Sequence, residues 1–189
     1  MPAASFLDFV LLGFRHIFSG YDHLFFLTGL LLVVARWPQL IAIVTCFTAG
    51  HSLTLALATL GIVNPPGRLT EPLIALTIVF VGVENYLRKG EPPKGRWLVT
   101  LLFGMVHGFG FASVLRELGV GTDGRSIAAP LLGFNIGVEL GQLVFAAGVL
   151  PLCWWLRKRP DFTRVWAPAL SLIIAALGAC WFIQRVTMV

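Results

Sequence analysis

The sequence predicts an all-α membrane protein: a six-transmembrane-helix bundle with a short N-terminal interfacial or re-entrant helix. Of its 189 residues, 57% are hydrophobic and only 12% are charged, and the mean hydropathy is +0.86. Several apolar segments approach or exceed the ~18–20 residues that a membrane-spanning helix requires. No segment alternates apolar and polar residues as an outer-membrane strand would. We therefore expect a single transmembrane domain over residues 1–189 and no soluble domain.

Proline, glycine and charged residues divide the apolar sequence into segments. The first, residues 5–19, is short for a span and contains Asp8, Arg15 and His16, which is typical of an interfacial or re-entrant helix. The opening residues lack the basic region of a signal peptide, so we expect no cleavable signal. The predicted spans are about 22–36, 39–61, 70–88, 97–117, 128–156 and 165–186.

The distribution of Lys and Arg predicts the orientation of the bundle. Nine of the fourteen basic residues fall at Arg36 and in the loops 88–96 and 157–164, on one side of the predicted bundle. We assign that side to the cytoplasm, so both termini should be non-cytoplasmic. The net charge of +5 does not indicate a nucleic-acid partner, because the basic residues lie in short loops. The five basic residues on the other side are Arg15, Arg68, Arg116, Arg125 and Arg185.

All four histidines lie in apolar segments or at their edges. An ionisable group in hydrocarbon is costly and usually faces a bundle interior or a pathway. Imidazole with carboxylate is also the ligand set of zinc, nickel and related divalent metals. We therefore predict an intramembrane metal site near the outer face. The alternative is a set of buried histidines that only pack between helices. The predicted ligands are His16, Asp22, His23, His51 and His107.

The order of residues around Asp22 predicts a bend. Ser19, Gly20 and Tyr21 separate His16 from the pair Asp22–His23, so a bend there would fold His16 back onto the pair. On a continuous helix Asp22 and His23 would point about 100° apart, which is poor for joint ligation. Asp22 could instead cap a helix N-terminus or orient a ligating imidazole from behind.

A second polar group is predicted below the histidines. Asn135, Glu139 and Gln142 are three or four residues apart and share one helix face, and Glu84 lies deep in the third span. An uncompensated carboxylate at such a depth would be expensive. We interpret the four as a relay for a cation or a proton, or as a second shell around the metal site. The alternative is a protonated glutamate in a hydrogen-bond network.

Five sequence segments together resemble the HupE/UreJ family of small bacterial membrane proteins. The resemblance implies a six- or seven-helix bundle in the bacterial inner (cytoplasmic) membrane and a role in nickel or cobalt uptake linked to hydrogenase or urease maturation. The segments, which run from residue 13 to residue 142, are GFRHIFSGYDHLFFL, FTAGHSLTL, EPLIALTIVFVGVEN, FGMVHGFGFA and LLGFNIGVELGQL. By match, the family's motif residues are His16, Asp22, His23, His51, Glu84, His107, Asn135 and Glu139.

Two functions fit these residues. The first is a divalent-metal permease for nickel, cobalt or zinc, with the lipid bilayer and the metal ion as its partners. The second is an intramembrane zinc-dependent hydrolase of a lipid or membrane peptide, in which Asp22 and Ser52 would be catalytic. There a bound zinc would lower the pKa of its water toward ~7. The carboxylates predicted below the histidines favour transport.

The orientation generates the first prediction. In a cysteine-free background, Gly90→Cys should not react with a membrane-impermeant maleimide added to intact cells, because residue 90 lies in the predicted cytoplasmic loop. A cysteine at Pro65, in the opposite loop, should react and serves as the control. Labelling at residue 90 from outside would show that the orientation is the opposite of the predicted one.

Overall fold

The computed structural model describes residues 5–34, 36–88, 94–121 and 127–187, and these residues form eight α-helices and no β-strand. The predicted all-α class is confirmed for this part of the chain. Lys89, Gly90 and Arg125, which entered the orientation argument, lie outside it. The helices are α1 (Phe6–Ser19), α2 (Tyr21–Leu31), α3 (Trp37–Thr59), α4 (Gly67–Leu87), α5 (Arg96–Gly108), α6 (Ala112–Glu117), α7 (Ala128–Arg157) and α8 (Ala167–Thr187), with a π-helical turn at Phe162–Trp166 before α8.

Among the described residues, four helices are long and apolar enough to cross a membrane. They are α3, α4, α7 and the stretch Phe162–Thr187, so the chain is a multi-pass membrane protein. The count of six is not established by these four. In the segment 22–36 only the part up to Leu31 is helical, within the 11-residue α2, and 97–117 is interrupted between α5 and α6. Glycine has low helix propensity, and α5 ends at Gly108, at the start of the GFG sequence.

Three pairs of helices approach so closely that glycine is needed at their contacts. A Cβ on Gly137 of α7 would overlap the Val10 carbonyl of α1, and one on Gly104 of α5 would overlap the Phe47 carbonyl of α3. At Gly82, α4 meets the backbone of α8 in the same way. Small residues permit this backbone approach, which drives helix association in a bilayer. These contacts show that α1 runs parallel to α7 and α3 parallel to α5, whereas α4 and α8 are antiparallel.

Helix α2 packs its apolar side chains into the core and is also held by polar bonds to carbonyl groups. In its last turn, Asn85 Nδ2 donates to the Gly29 carbonyl over 2.6 Å. Beyond its C-terminal end, Trp154 Nε1 donates to the Val34 carbonyl over 3.1 Å, and Arg157 donates to the carbonyls of Val34 and Leu32. The last carbonyls of a helix have no partner within it, and in a bilayer they need one. The α1–α2 segment therefore lies along α7: α1 packs against the glycines of α7, and the end of α2 is bonded to Arg157 at the end of α7.

The glycine contacts generate a stability prediction. Gly137→Ala should destabilise the protein by about 1–3 kcal/mol, the usual cost of overpacking, because its Cβ meets the backbone of α1. Gly148→Ala in the same helix is the matched control, because nothing lies within 4 Å of a Cβ there. It should be neutral or slightly stabilising. Thermal unfolding in detergent, followed by circular dichroism, measures both; equal melting temperatures would contradict the α1–α7 contact.

Candidate metal centre

The structure brings the four histidine rings together from four different helices. The ring centres of His16 and His23 are 4.5 Å apart, those of His23 and His107 are 5.6 Å apart, and those of His16 and His51 are 6.4 Å apart. Two imidazoles bound to one ion at ~2.0–2.1 Å per bond would have ring centres about 5 Å apart. The rings therefore lie near the spacing that a shared ion would require.

Each of three imidazoles uses its Nδ1 atom in a hydrogen bond. His23 Nδ1 donates to Asp22 Oδ1 over 2.8 Å, and His107 Nδ1 donates to the Phe103 carbonyl over 2.8 Å. His51 Nδ1 donates to Asn135 Oδ1 over 3.0 Å, because the Asn135 amide nitrogen is already committed to the Leu131 carbonyl. A carbonyl or carboxylate can only accept, so each Nδ1 carries the proton. The Nε2 atom is therefore the ring position left to bind a metal.

The two deepest Nε2 atoms have no hydrogen-bond partner. His51 and His107 are 1% and 3% exposed, and the Nε2 atom of each is buried and unpaired. The rings of Phe47 and Phe134 enclose them. A buried polar atom without a partner costs about 1–3 kcal/mol. Coordination to a metal would remove this cost, and an Nδ1 bond to an oxygen is the usual support of a metal-ligating histidine.

The donor set fits a divalent transition metal, although the coordination sphere is not closed. Neutral imidazoles with one carboxylate suit zinc, nickel and cobalt. As they stand, no three His, Cys, Asp or Glu side chains in the described part of the chain are arranged to hold a metal ion. A bound ion would therefore have to draw the rings inward. His16, Asp22 and His23 are partly exposed, whereas His51 and His107 are buried.

The bend before Asp22 falls at Gly20, between α1 and α2. A Cβ at Gly20 would overlap His23 Nδ1 and lie 2.8 Å from Asp22 Oδ1, so the glycine makes room for the pair. The residue that caps α2 is Gly20, and Asp22 lies in the first turn, where its Oδ1 also accepts the His23 backbone N–H over 2.9 Å. Asp22 thus orients His23 through a direct bond.

Arg185 is a site residue that the sequence did not single out. Its Nη2 atom donates to Asp22 Oδ2 over 3.0 Å, and its Nη1 atom donates to the Glu71 carbonyl over 3.1 Å. In the sequence Arg185 counted only toward membrane orientation. The available signal was its position on the same predicted side of the bilayer as Asp22, which has the opposite charge.

The predicted polar residues of α7 face α3 in three hydrogen-bonded pairs, which we call the polar ladder. The pairs are His51–Asn135, Thr48–Gln142 at 3.3 Å and Thr45–Glu139 at 2.8 Å. Along α3 they follow one another at intervals of three residues, and so lead away from the histidines. Thr48 and Gln142 are buried, whereas Thr45 is exposed and Glu139 is half-buried.

Glu84 lies in a separate cluster on α4. Its Oε1 atom accepts from Arg88 Nε over 3.2 Å, and its Oε2 atom is 3.5 Å from Arg96 Nη1. Arg96 is buried and also donates to Asn85 Oδ1 over 3.0 Å. Helix α4 packs chiefly against α8, α2 and α5, whereas the polar ladder lies between α3 and α7. The four predicted relay residues therefore form two groups.

Ser52, the hydroxyl assigned to the alternative hydrolase, donates to the Thr48 carbonyl of its own helix over 2.6 Å. A serine inside an apolar helix commonly forms such a bond with the carbonyl four residues before it.

A polar cavity of about 400 Å³ lies next to the chain segment that follows His107. Glu71 and Arg116 contribute charge to its wall, and Phe109 and Gly110 follow His107 directly in the chain. Asn64, Pro65 and Pro66, in the loop between α3 and α4, line its rim. We call this cavity the vestibule.

A family model described as HupE / UreJ protein matches residues 1–185. No curated protein and no solved structure matches the chain. The matched range includes the four histidines, Asp22, the polar ladder and Arg185. Because the match covers nearly the whole sequence, the chain belongs to the HupE/UreJ family.

Proposed function

We propose that the protein is a permease for a divalent transition metal, nickel or cobalt in the first place and zinc as a third candidate. Family membership supports a function related to nickel or cobalt transport. The observation that carries the proposal is the pair of buried, unpaired Nε2 atoms of His51 and His107, inside a cluster of four imidazoles. Such lone pairs are favourable only if something binds them.

The accessibility of the site residues gives the proposed route its direction. Glu71 lines the vestibule, and its carbonyl accepts from Arg185, which also binds Asp22. His16, Asp22 and His23 are half-buried. His51 and His107 are buried, and the polar ladder begins at His51. A cation would enter by the vestibule, bind the imidazoles and continue along the Thr and Gln oxygens. Interrupted helices, like those here at Gly20 and between α5 and α6, are a common setting for ion sites in transporters.

The hydrolase is the second candidate, and the geometry supports it less. Its serine is committed to its own helix, and both oxygens of Asp22 are engaged, Oδ1 by His23 and Oδ2 by Arg185. A hydrolase would retain zinc without moving it. Ion flux therefore separates the two functions.

Metal binding should depend on the two buried histidines. The double variant His51→Ala/His107→Ala should lose metal binding, because the lipid can supply no replacement ligand. Asn135→Ala should weaken binding about 10–100-fold, since His51 loses the bond that orients it. Thr28→Ala, which removes a hydroxyl bonded only within α2, is the control and should bind normally. Mass spectrometry of bound metal and titration calorimetry test this; full occupancy in the double variant would refute the shared site.

Transport should depend on Glu139 more than binding does. In liposomes, wild-type protein should take up nickel, cobalt or zinc, and Glu139→Gln should slow uptake at least about tenfold while it keeps most of its metal affinity. The amide retains the hydrogen bond with Thr45 but cannot ionise. Glu117→Gln, at an exposed glutamate that ends α6, is the control and should transport normally. Wild-type protein that holds stoichiometric metal but moves none would favour the hydrolase.

A further inference from the structure

The guanidinium of Arg185 forms an ion pair with Asp22, the carboxylate of the histidine cluster. The guanidinium bonds Asp22 Oδ2 over 3.0 Å and, through its second nitrogen, the Glu71 carbonyl over 3.1 Å. Asp22 and Arg185 lie near opposite ends of the chain, 163 residues apart in sequence. The Arg185 side chain is 23% exposed and that of Asp22 is 15% exposed, so the pair lies at the mouth of the site.

The positive charge of Arg185 disfavours a second cation at Asp22. Asp22 and Arg185 form an ion pair that carries no net charge. A divalent ion that joined them would leave two positive charges in a half-buried space, whereas an ion that displaced Arg185 would leave one. Like charges at short range repel strongly where water is excluded. Binding of the ion and retention of the Arg185 contact therefore oppose each other.

Arg185 has a place to move to. It lies in the last turn of α8, and a surface cavity of about 520 Å³ beside it is lined by Arg68, Leu73 and Val186. Only two hydrogen bonds tie its guanidinium to Asp22 and Glu71. A rotation of the side chain into this cavity would release Asp22 without a change in any helix.

We propose that Arg185 is a resident counter-cation: it occupies Asp22 when no cargo is bound, is displaced by the incoming ion, and returns to help expel it. Arg185 thus sets the affinity of the site. A transport site must bind its ion well enough to admit it and weakly enough to release it. The inference rests on the proposed permease function and adds the residue that tunes it.

The test compares affinity with turnover. Arg185→Gln should tighten nickel and cobalt binding at least about tenfold, because a competing charge is gone. In liposomes its KM and its maximal uptake rate should both fall, since the ion is held and released slowly. Arg185→Lys, which keeps the charge, should stay close to wild type. Arg68→Gln removes a positive charge from the same cavity without touching Asp22, and should change neither value.

A purely structural Arg185 gives the opposite result. If the arginine only positions Asp22, Arg185→Gln should weaken binding and raise KM, and that outcome, like an unchanged affinity, would overturn the inference while the permease function stands. Wild-type protein that binds no divalent ion would overturn both. If Arg185→Gln does not purify as a folded protein, Arg185→Met takes its place as the neutral variant.

Hydrogen exchange on the wild-type protein gives a readout that needs no substitution. Nickel should accelerate amide exchange in residues 180–187, because the end of α8 loses its tie to Asp22 and Glu71. Exchange slowed or unchanged by nickel would show that Arg185 stays in place, against the proposed displacement.

Discussion

The close contact between α3 and α5 determines where the two buried imidazoles lie. Gly104 rests against the Phe47 carbonyl and Gly108 against the His51 carbonyl, so His51 and His107 stand at one level of the bundle. Any side chain at these glycines would force the helices apart, because the obstacle is backbone rather than a flexible side chain. The distance between the two Nε2 atoms, and thus any shared ligand, depends on this contact.

The other half of the histidine cluster is supported differently. Asp22 and His23 lie on α2, which is tied by polar bonds to Arg185 near its start, to Asn85 in its last turn and to Arg157 beyond its end. Polar bonds of this kind can exchange with water or with an ion, whereas backbone contacts at glycine cannot. The cluster therefore joins two imidazoles fixed by the α3–α5 contact to a pair on α2 whose charged groups are held by polar bonds, an arrangement that suits the proposed permease.

Local sequence signals explain how much could be predicted. Hydropathy gave the all-α membrane class, and the residues SGY correctly indicated the bend that brings His16 to within 4.5 Å of His23. Hydropathy averages over a window, so it missed the interruption between α5 and α6. The Asp22–Arg185 bond and the separation of Glu84 from the polar ladder depend on which helices become neighbours. A single sequence carries no local signal for that choice.

The charge balance of the cluster links the bilayer to the proposed transport cycle. A lone aspartate this close to hydrocarbon would be costly, and Arg185 offsets that cost when no ion is present. The Nδ1 atoms of His23, His51 and His107 are hydrogen-bonded to oxygen atoms, so the Nε2 atoms are the ring positions left to bind an ion in the proposed cycle. In the proposed cycle an incoming divalent ion would exchange with one arginine, and the net charge of the site would change by one rather than by two. Exchange of one cation for another would keep both the ion-free and the ion-bound site accessible. A deeper cluster of carboxylates without a compensating cation would not have an accessible ion-free state.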